Sequence, residues 1–239
     1  MKKTLRICKS TLLALSLLLS VISTSALAGE KLFITGAEGG AGDTENYYTY
    51  AGLIAPVFGD KLGNGLVQRY WIDFFGYSYD TNQTIDAQAF GLEGALGYQT
   101  SGSAGWAGAY AGLRYNNTSL SPDDPGNRND GQKVWVKSQL EGQLNLADTW
   151  TLGGIASYTF GADAYWMRTR LLYQLKQGLS TGPEAVYMGD PNYRAWQFSW
   201  VVTGFKPAPK VEIGIKAGAR ITEHAGVNGL IGVELVKFF

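Results

Sequence analysis

Residues 133–147 contain the stretch that decides the fold, KVWVKSQLEGQLNLA. Its aliphatic residues stand two or four positions apart: Val134, Val136, Leu140, Leu144 and Leu146. The positions between them are mostly polar. A period of two is typical of a β-strand whose two faces meet different surroundings. The run is also longer than the roughly five or six residues of a usual strand in a soluble sheet. This stretch therefore predicts a long strand with one apolar and one polar face.

The same alternation recurs along the chain after residue 28. Short clusters of Gly, Asp, Asn, Ser and Pro separate the runs, as in turns between strands. Counting the runs predicts about twelve strands, at residues 31–37, 45–58, 66–77, 85–99, 105–116, 133–147, 149–160, 164–177, 179–188, 193–205, 210–223 and 228–239. Each run with its turn has the length of a tilted membrane strand and its connection.

Two architectures use such strands: a soluble sandwich, which hides the apolar faces between two sheets, and a membrane barrel, which turns them toward lipid. Three features favour the barrel. The polar faces carry charges of both signs, aromatic residues stand near strand ends, and the last alternating run ends in Phe239. No apolar run after residue 28 reaches the length of a membrane helix. We therefore predict an all-β fold, a transmembrane antiparallel up-and-down β-barrel of about 12 strands.

The first 28 residues have the layout of a secretory signal peptide. Four basic residues come before an apolar run at residues 11–22: Lys2, Lys3, Arg6 and Lys9. Small residues ending in Ala28 follow the run, as at a cleavage site. A membrane anchor is the alternative, but the apolar run is too short for a spanning helix. We predict that residues 1–28 are a cleaved signal peptide and that residues 29–239 form the barrel domain.

Composition limits the partners and the cell compartment. The chain has 20 basic and 20 acidic residues, and the segment after residue 28 keeps 16 basic and 20 acidic residues with no cysteine. A basic surplus, which nucleic-acid binding requires, is missing. An exported chain without cysteine is ordinary for a bacterial envelope protein. We therefore expect the bacterial outer membrane as the location, outer-membrane lipid as a partner and no nucleic-acid partner.

The strand count also predicts an orientation. An even number of strands leaves both termini in the periplasm, so the connections after odd-numbered strands face the cell exterior. The longest predicted connection, residues 116–132, follows the fifth strand, and the glycine-rich stretch 36–44 follows the first. Both are expected to be external loops.

The residues offer little for catalysis. His224 is the single histidine, and no cysteine follows residue 28, so a metal site is not expected. Barrel enzymes that modify lipid use a histidine with a serine or an acid, and the surroundings of His224 do not resemble their motifs. We predict no catalytic residue, no metal and no cofactor.

The polar faces offer a candidate binding surface in the lumen. Alternation predicts that two arginines and two tryptophans face the lumen: Arg168, Arg170, Trp135 and Trp166. Indole rings beside hydrogen-bonding groups suit a sugar. An interior filled by ion pairs and wedged aromatics explains them equally well, and both interpretations stay open.

A more specific pattern lies at residues 182–194. Gly182-Pro183-Glu184, Tyr187-Met188-Gly189 and Tyr193-Arg194 resemble the later half of the cellulose biosynthesis protein BcsS family. The resemblance implies an outer-membrane accessory of bacterial cellulose production, working with an inner-membrane synthase and without known catalytic activity. It also implies Glu184 and Arg194 as site residues, expected to be an inward acid and base on adjacent strands.

Together these observations predict a non-enzymatic barrel with an accessory role in cellulose or other exopolysaccharide secretion. The expected partners are the polysaccharide and the cellulose synthase export complex. Two other functions remain open: a general small porin-like channel, and a lipid-modifying enzyme that would depend on His224.

Overall fold

The structure is a computed structural model that describes residues 29–41, 46–223 and 226–239. Its twelve strands are β1 Leu32–Ala41, β2 Tyr47–Pro56, β3 Gly65–Asp80, β4 Thr84–Gly102, β5 Gly105–Ser121, β6 Gly131–Ala147, β7 Trp150–Phe160, β8 Ala164–Gln174, β9 Ser180–Gly189, β10 Arg194–Ala208, β11 Val211–Thr222 and β12 Gly226–Phe238. The predicted signal peptide and its cleavage site lie outside the described residues.

The strands close into one antiparallel barrel. Each strand pairs with its neighbours in sequence, and β1 pairs with β12 from Leu32 opposite Phe238 to Ala41 opposite Gly229. Closure leaves no unpaired strand edge, which satisfies the backbone hydrogen bonds inside a bilayer. The predicted up-and-down barrel of twelve strands is confirmed.

Alternation places the apolar side chains on the outside. Leu96, Leu113 and Leu140 are exposed there, with exposed fractions of 64%, 59% and 64%. Polar side chains on the same strands, such as Glu93 and Arg114, are buried inside. A soluble sandwich has the reverse arrangement. Within the described residues, no helix is long and apolar enough to cross a membrane.

Two predicted loops are shorter than expected. Strand β1 continues to Ala41, so most of the stretch 36–44 is not a loop but a strand paired on both sides. Strand β5 continues to Ser121 and β6 begins at Gly131, which reduces the predicted loop 116–132 to residues 122–130. Glycine and polar residues at these positions masked the alternation. The strands nevertheless extend through these positions because their backbones are hydrogen-bonded to the neighbouring strands, β1 to β12 and β2, and β5 to β4 and β6.

Residues 122–130 fold over one mouth of the barrel, and we call them the outer cap. This mouth is the outer end, and the end with both termini is the inner end. The Tyr79 hydroxyl donates to Asp124 Oδ2 at 2.7 Å and accepts from Asn127 Nδ2 at 2.8 Å. Asn129 Nδ2 donates to Asp190 Oδ2 at 3.1 Å, in the turn between β9 and β10. The outer cap therefore joins β3 to the opposite wall.

The acid at this junction predicts a pH dependence. Burial raises the pKa of Asp190 above its ordinary value, and the Oδ1 atom of Asn129 beside it is buried without a hydrogen-bond partner. A protonated Asp190 can donate to that oxygen once the amide turns over. Because the folded-state pKa is raised, stability increases as the pH falls through it and stops increasing below the ordinary value of about 3.9.

The variant Asp190→Asn should remove this dependence, since the amide keeps the acceptor and adds the donor. We expect its melting temperature to exceed that of the wild type at pH 7, and the difference to shrink toward pH 4. A difference that stays constant over this range would show that Asp190 does not titrate with folding.

Candidate functional site in the barrel lumen

One group of buried ion pairs, the β3–β6 cluster, fills the lumen beside strands β3 to β6. Its members are Arg69, Asp73, Glu93, Arg114 and Lys137. Arg114 donates to both carboxylate oxygens of Asp73 at 2.8 Å. Glu93 accepts from Arg69 at 2.8 Å and from Lys137 at 2.7 Å. These charges lie together because alternation turns every second residue of adjacent strands to the same face.

A second group of buried ion pairs, the β8–β12 cluster, is formed by side chains of β8, β9, β11 and β12 together with one residue of β1. Its members are Glu38, Arg168, Arg170, Glu184, Lys216, Arg220 and Glu234. Glu184 pairs with Arg170, accepts from Lys216 at 2.9 Å and accepts from Ser199 at 3.2 Å. Glu38 pairs with Lys216 at 2.7 Å and Arg220 at 2.8 Å. Each buried carboxylate thus has several donors, which burial of a charge requires.

Glu234 joins three separate strands across the lumen. It accepts from the Tyr50 hydroxyl at 2.7 Å, from Arg170 at 2.9 Å and from Arg168 at 3.3 Å. These partners belong to β2 and β8, while Glu234 belongs to β12. Side chains from facing walls therefore meet at this level of the barrel, and the lumen is bridged.

The wall formed by β6 to β8 is partly open to the lumen. Trp135, Trp166 and Arg168 face inward and are half-buried. By contrast, Asp73 on β3 is only 2% exposed. The Arg168 guanidinium lies 5.6 Å from the centre of the Trp166 ring, a cation–π geometry. This wall combines water access with indole rings and a hydrogen-bond donor.

Five of the six predicted site residues face the lumen as expected. Arg168, Arg170 and Glu184 belong to the β8–β12 cluster, and Trp135 and Trp166 lie on the open wall. The structure brings Arg170 and Glu184 into direct contact. A role for these side chains in ligand binding remains a prediction.

The expected pairing of Glu184 with Arg194 is wrong. Arg194 begins β10 at the outer end, opposite Gly189, whereas Glu184 stands opposite Ser199. Arg194 instead pairs with Glu223 at 3.5 Å, and its side chain is 53% exposed. It shares the outward face of Trp196, so alternation places it on the lipid side of the barrel.

Sequence reasoning missed the two acids that complete the β8–β12 cluster. The glycines around Glu38 predict a loop rather than a strand there, and Glu234 lies in a terminal run that is mostly apolar. The sequence signal that identifies an inward acid is its position relative to its neighbours, because residues an odd number apart on a strand point to opposite faces. Glu234 stands between Val233 and Leu235, which face lipid, so it must face inward.

In the described part of the chain, no group of three or more His, Cys, Asp or Glu side chains is arranged to hold a metal ion. His224, on which a lipid-modifying enzyme would depend, lies outside the described residues.

The family model for cellulose biosynthesis protein BcsS matches residues 38–237, from β1 to β12. The chain belongs to this family. The match spans the barrel and agrees with the resemblance found around residues 182–194. No curated protein matches the sequence of this BcsS-family protein.

Solved structures support the same architecture. The COG4313 outer membrane channel from Pseudomonas putida F1 is 15% identical with a TM-score of 0.52, covering 90% of this chain and 97% of that chain. The transport unit of the autotransporter AIDA-I from Escherichia coli is 11% identical with a TM-score of 0.50, covering 91% and 92%. Fold and family together identify an outer-membrane barrel protein of cellulose biosynthesis.

Proposed function

We propose that this BcsS-family protein acts without catalysis, as an accessory that holds the polysaccharide at the outer membrane. In this role the polymer contacts the luminal wall formed by β6 to β8. An inner-membrane synthase and its export complex supply the chain. Residues 1–28 direct the protein to the membrane and are then removed.

The observation that carries this proposal is the bridge at Glu234. A general porin requires an uninterrupted polar path, but here Tyr50, Arg168 and Arg170 converge on one carboxylate inside the lumen. The bridge favours a binding role over free conduction.

The open wall supplies the binding chemistry. Trp135 and Trp166 offer indole surfaces, and Arg168 offers donors to sugar hydroxyls. An apolar aromatic surface with a few polar groups is typical of ligand sites. These are the residues that we assign to polysaccharide contact, with Arg170 and Glu184 holding Arg168 and its surroundings in place.

Conductance in a planar bilayer separates the proposal from the porin alternative. The bridged lumen predicts no large steady current from the purified barrel, since ions meet paired side chains at the level of Glu234. A large, steady, ohmic current would contradict the accessory role and favour a porin. A lipid-modifying enzyme would instead change the lipid A profile of the host, and the change would disappear in His224→Ala.

A further inference from the structure

Two lysines lie next to each other at the inner end of the barrel, and we call them the lysine pair: Lys210 and Lys237. Lys210 directly precedes β11, and Lys237 is the last residue but one of β12. The backbone N–H of Phe238 donates to the Lys210 carbonyl at 2.9 Å, which holds the turn before β11 against the end of β12. The fold therefore brings two positively charged residues to one point of the inner rim.

Lys237 belongs to the lipid face of the barrel. It stands opposite Phe33 on β1 and Val211 on β11, and it lies two residues from Leu235 on the same face of β12. Its Nζ atom is 4.4 Å from the centre of the Phe239 ring, a cation–π geometry. A charge on the lipid face of a barrel is costly at the middle of the bilayer and costs little near its surface. Lys237 therefore lies at the level of the lipid head groups.

The protein does not neutralise the lysine pair. Among the described residues, no carboxylate lies within ion-pair distance of either Nζ atom. The nearest acid in sequence, Glu212, pairs instead with Lys206 at 3.5 Å. Lys210 is exposed and Lys237 is half-buried. Both charges can therefore attract an anion from outside the barrel.

The backbone of Lys210 gives a second, independent reason to look for a role of its side chain. Its φ angle is 61°, in the left-handed region that glycine adopts at lower cost than lysine. Turn geometry alone would therefore favour glycine here. A residue held in such a conformation supports the hypothesis of a function for its side chain.

The lipid face of β11 and β12 next to the lysine pair is aliphatic. Ile213 stands opposite Leu235, and Ile215 stands opposite Val233. Ile215 and Val233 are 51% and 48% exposed. The neighbouring strand β10 instead carries exposed aromatic rings on this face: Trp196, Phe198 and Trp200. We call the aliphatic surface of β11 and β12 the aliphatic strip. A strip of this kind that ends in two cations matches a molecule with an anionic head and hydrocarbon chains.

We propose that the lysine pair binds the phosphate of an anionic phospholipid, such as phosphatidylglycerol, whose acyl chains lie along the aliphatic strip. The inner end faces the periplasm, so the lipid belongs to the inner leaflet of the outer membrane. Lysines near a membrane surface are attracted to anionic lipids. The lipid-facing position of Lys237 favours a lipid over an acidic segment of a periplasmic protein. This site lies outside the lumen and does not depend on the proposed function.

Native mass spectrometry of the purified full-length barrel in a neutral detergent tests the site, by titration with phosphatidylglycerol and, separately, with phosphatidylcholine. We expect the wild type to bind its first phosphatidylglycerol about tenfold more tightly than phosphatidylcholine. In Lys210→Gln/Lys237→Gln the two affinities should agree within about twofold. The matched control is Lys61→Gln/Lys176→Gln, which removes two exposed lysines from the same end of the barrel and should keep the wild-type preference. Heat-modifiable gel mobility checks that each variant is folded.

Lys210→Gly separates lipid binding from a structural role. Because glycine adopts a φ of 61° more easily than lysine, this variant should resist urea at least as well as the wild type while its preference for phosphatidylglycerol falls. Lower resistance to urea together with an unchanged preference would assign Lys210 to the turn alone and overturn the site.

Three further results would overturn the proposal. The first is a wild type without preference for phosphatidylglycerol, and the second is an equal loss of preference in both double variants, which would indicate general attraction to the inner end. The third is competition by glycerol phosphate as strong as by the lipid, which would show a phosphate site without a role for the acyl chains. If Lys210→Gln/Lys237→Gln keeps the lipid preference but lowers cellulose output in the host, the lysines contact an acidic protein instead, and the lipid assignment is wrong.

Discussion

Replacing Arg114 by Met is expected to lower the free energy of unfolding by about 3–5 kcal/mol, the usual cost of leaving a buried charge without its partner. Arg114 donates twice to Asp73, and the Asp73 side chain is 2% exposed. Once the guanidinium is absent, the carboxylate has neither water nor a paired donor. Urea unfolding in lipid vesicles, followed by tryptophan fluorescence, measures the change.

The barrel provides a matched control for this result. Arg128 pairs with Asp163 at 3.2 Å, but the two side chains are 67% and 44% exposed, so Arg128→Met should cost at most about 1 kcal/mol. The double variant Arg114→Met/Asp73→Leu should recover most of the loss, because an apolar pair replaces a buried ion pair at little cost. Equal destabilisation by Arg114→Met and Arg128→Met would contradict the assignment of the β3–β6 cluster as a buried network.

Alternation predicted the fold and most of the candidate site. Because side chains on a strand point to opposite faces in turn, the sequence assigns Trp135, Trp166, Arg168 and Arg170 to the lumen without any tertiary information. It also contains the argument against Arg194. Residues an even number apart share a face, and Arg194 shares the face of Trp196, Phe198 and Trp200, an aromatic run that alternation turns toward lipid.

Sequence patterns do not predict which side chains meet across the lumen. Parity shows that Tyr50, Arg170 and Glu234 all face inward, but they belong to β2, β8 and β12, and nothing local indicates that they meet. The height at which they meet depends on the stagger between strands, which is a property of the closed barrel. The same reason explains why the contacts of the outer cap became visible only in the structure.

Replacing both luminal tryptophans should have the largest effect on function. In Trp135→Leu/Trp166→Leu, the β6–β8 wall loses its indole surfaces but keeps the ion pairs of Arg168 and Arg170. The barrel should therefore fold normally while its contact with the polysaccharide is lost. The lipid-face pair Trp196→Leu/Trp200→Leu is the matched control, since it removes the same number of indoles from the outer face of the barrel, on β10.

The most direct test of a luminal role in cellulose production is cellulose per cell in the native host. Four strains are compared at equal barrel levels where a barrel is present: wild type, gene deletion, Trp135→Leu/Trp166→Leu and Trp196→Leu/Trp200→Leu. We predict that the luminal pair falls to the level of the deletion strain, while the lipid-face pair stays near the wild type. Wild-type cellulose output from the luminal pair, or from the deletion strain itself, would contradict the account.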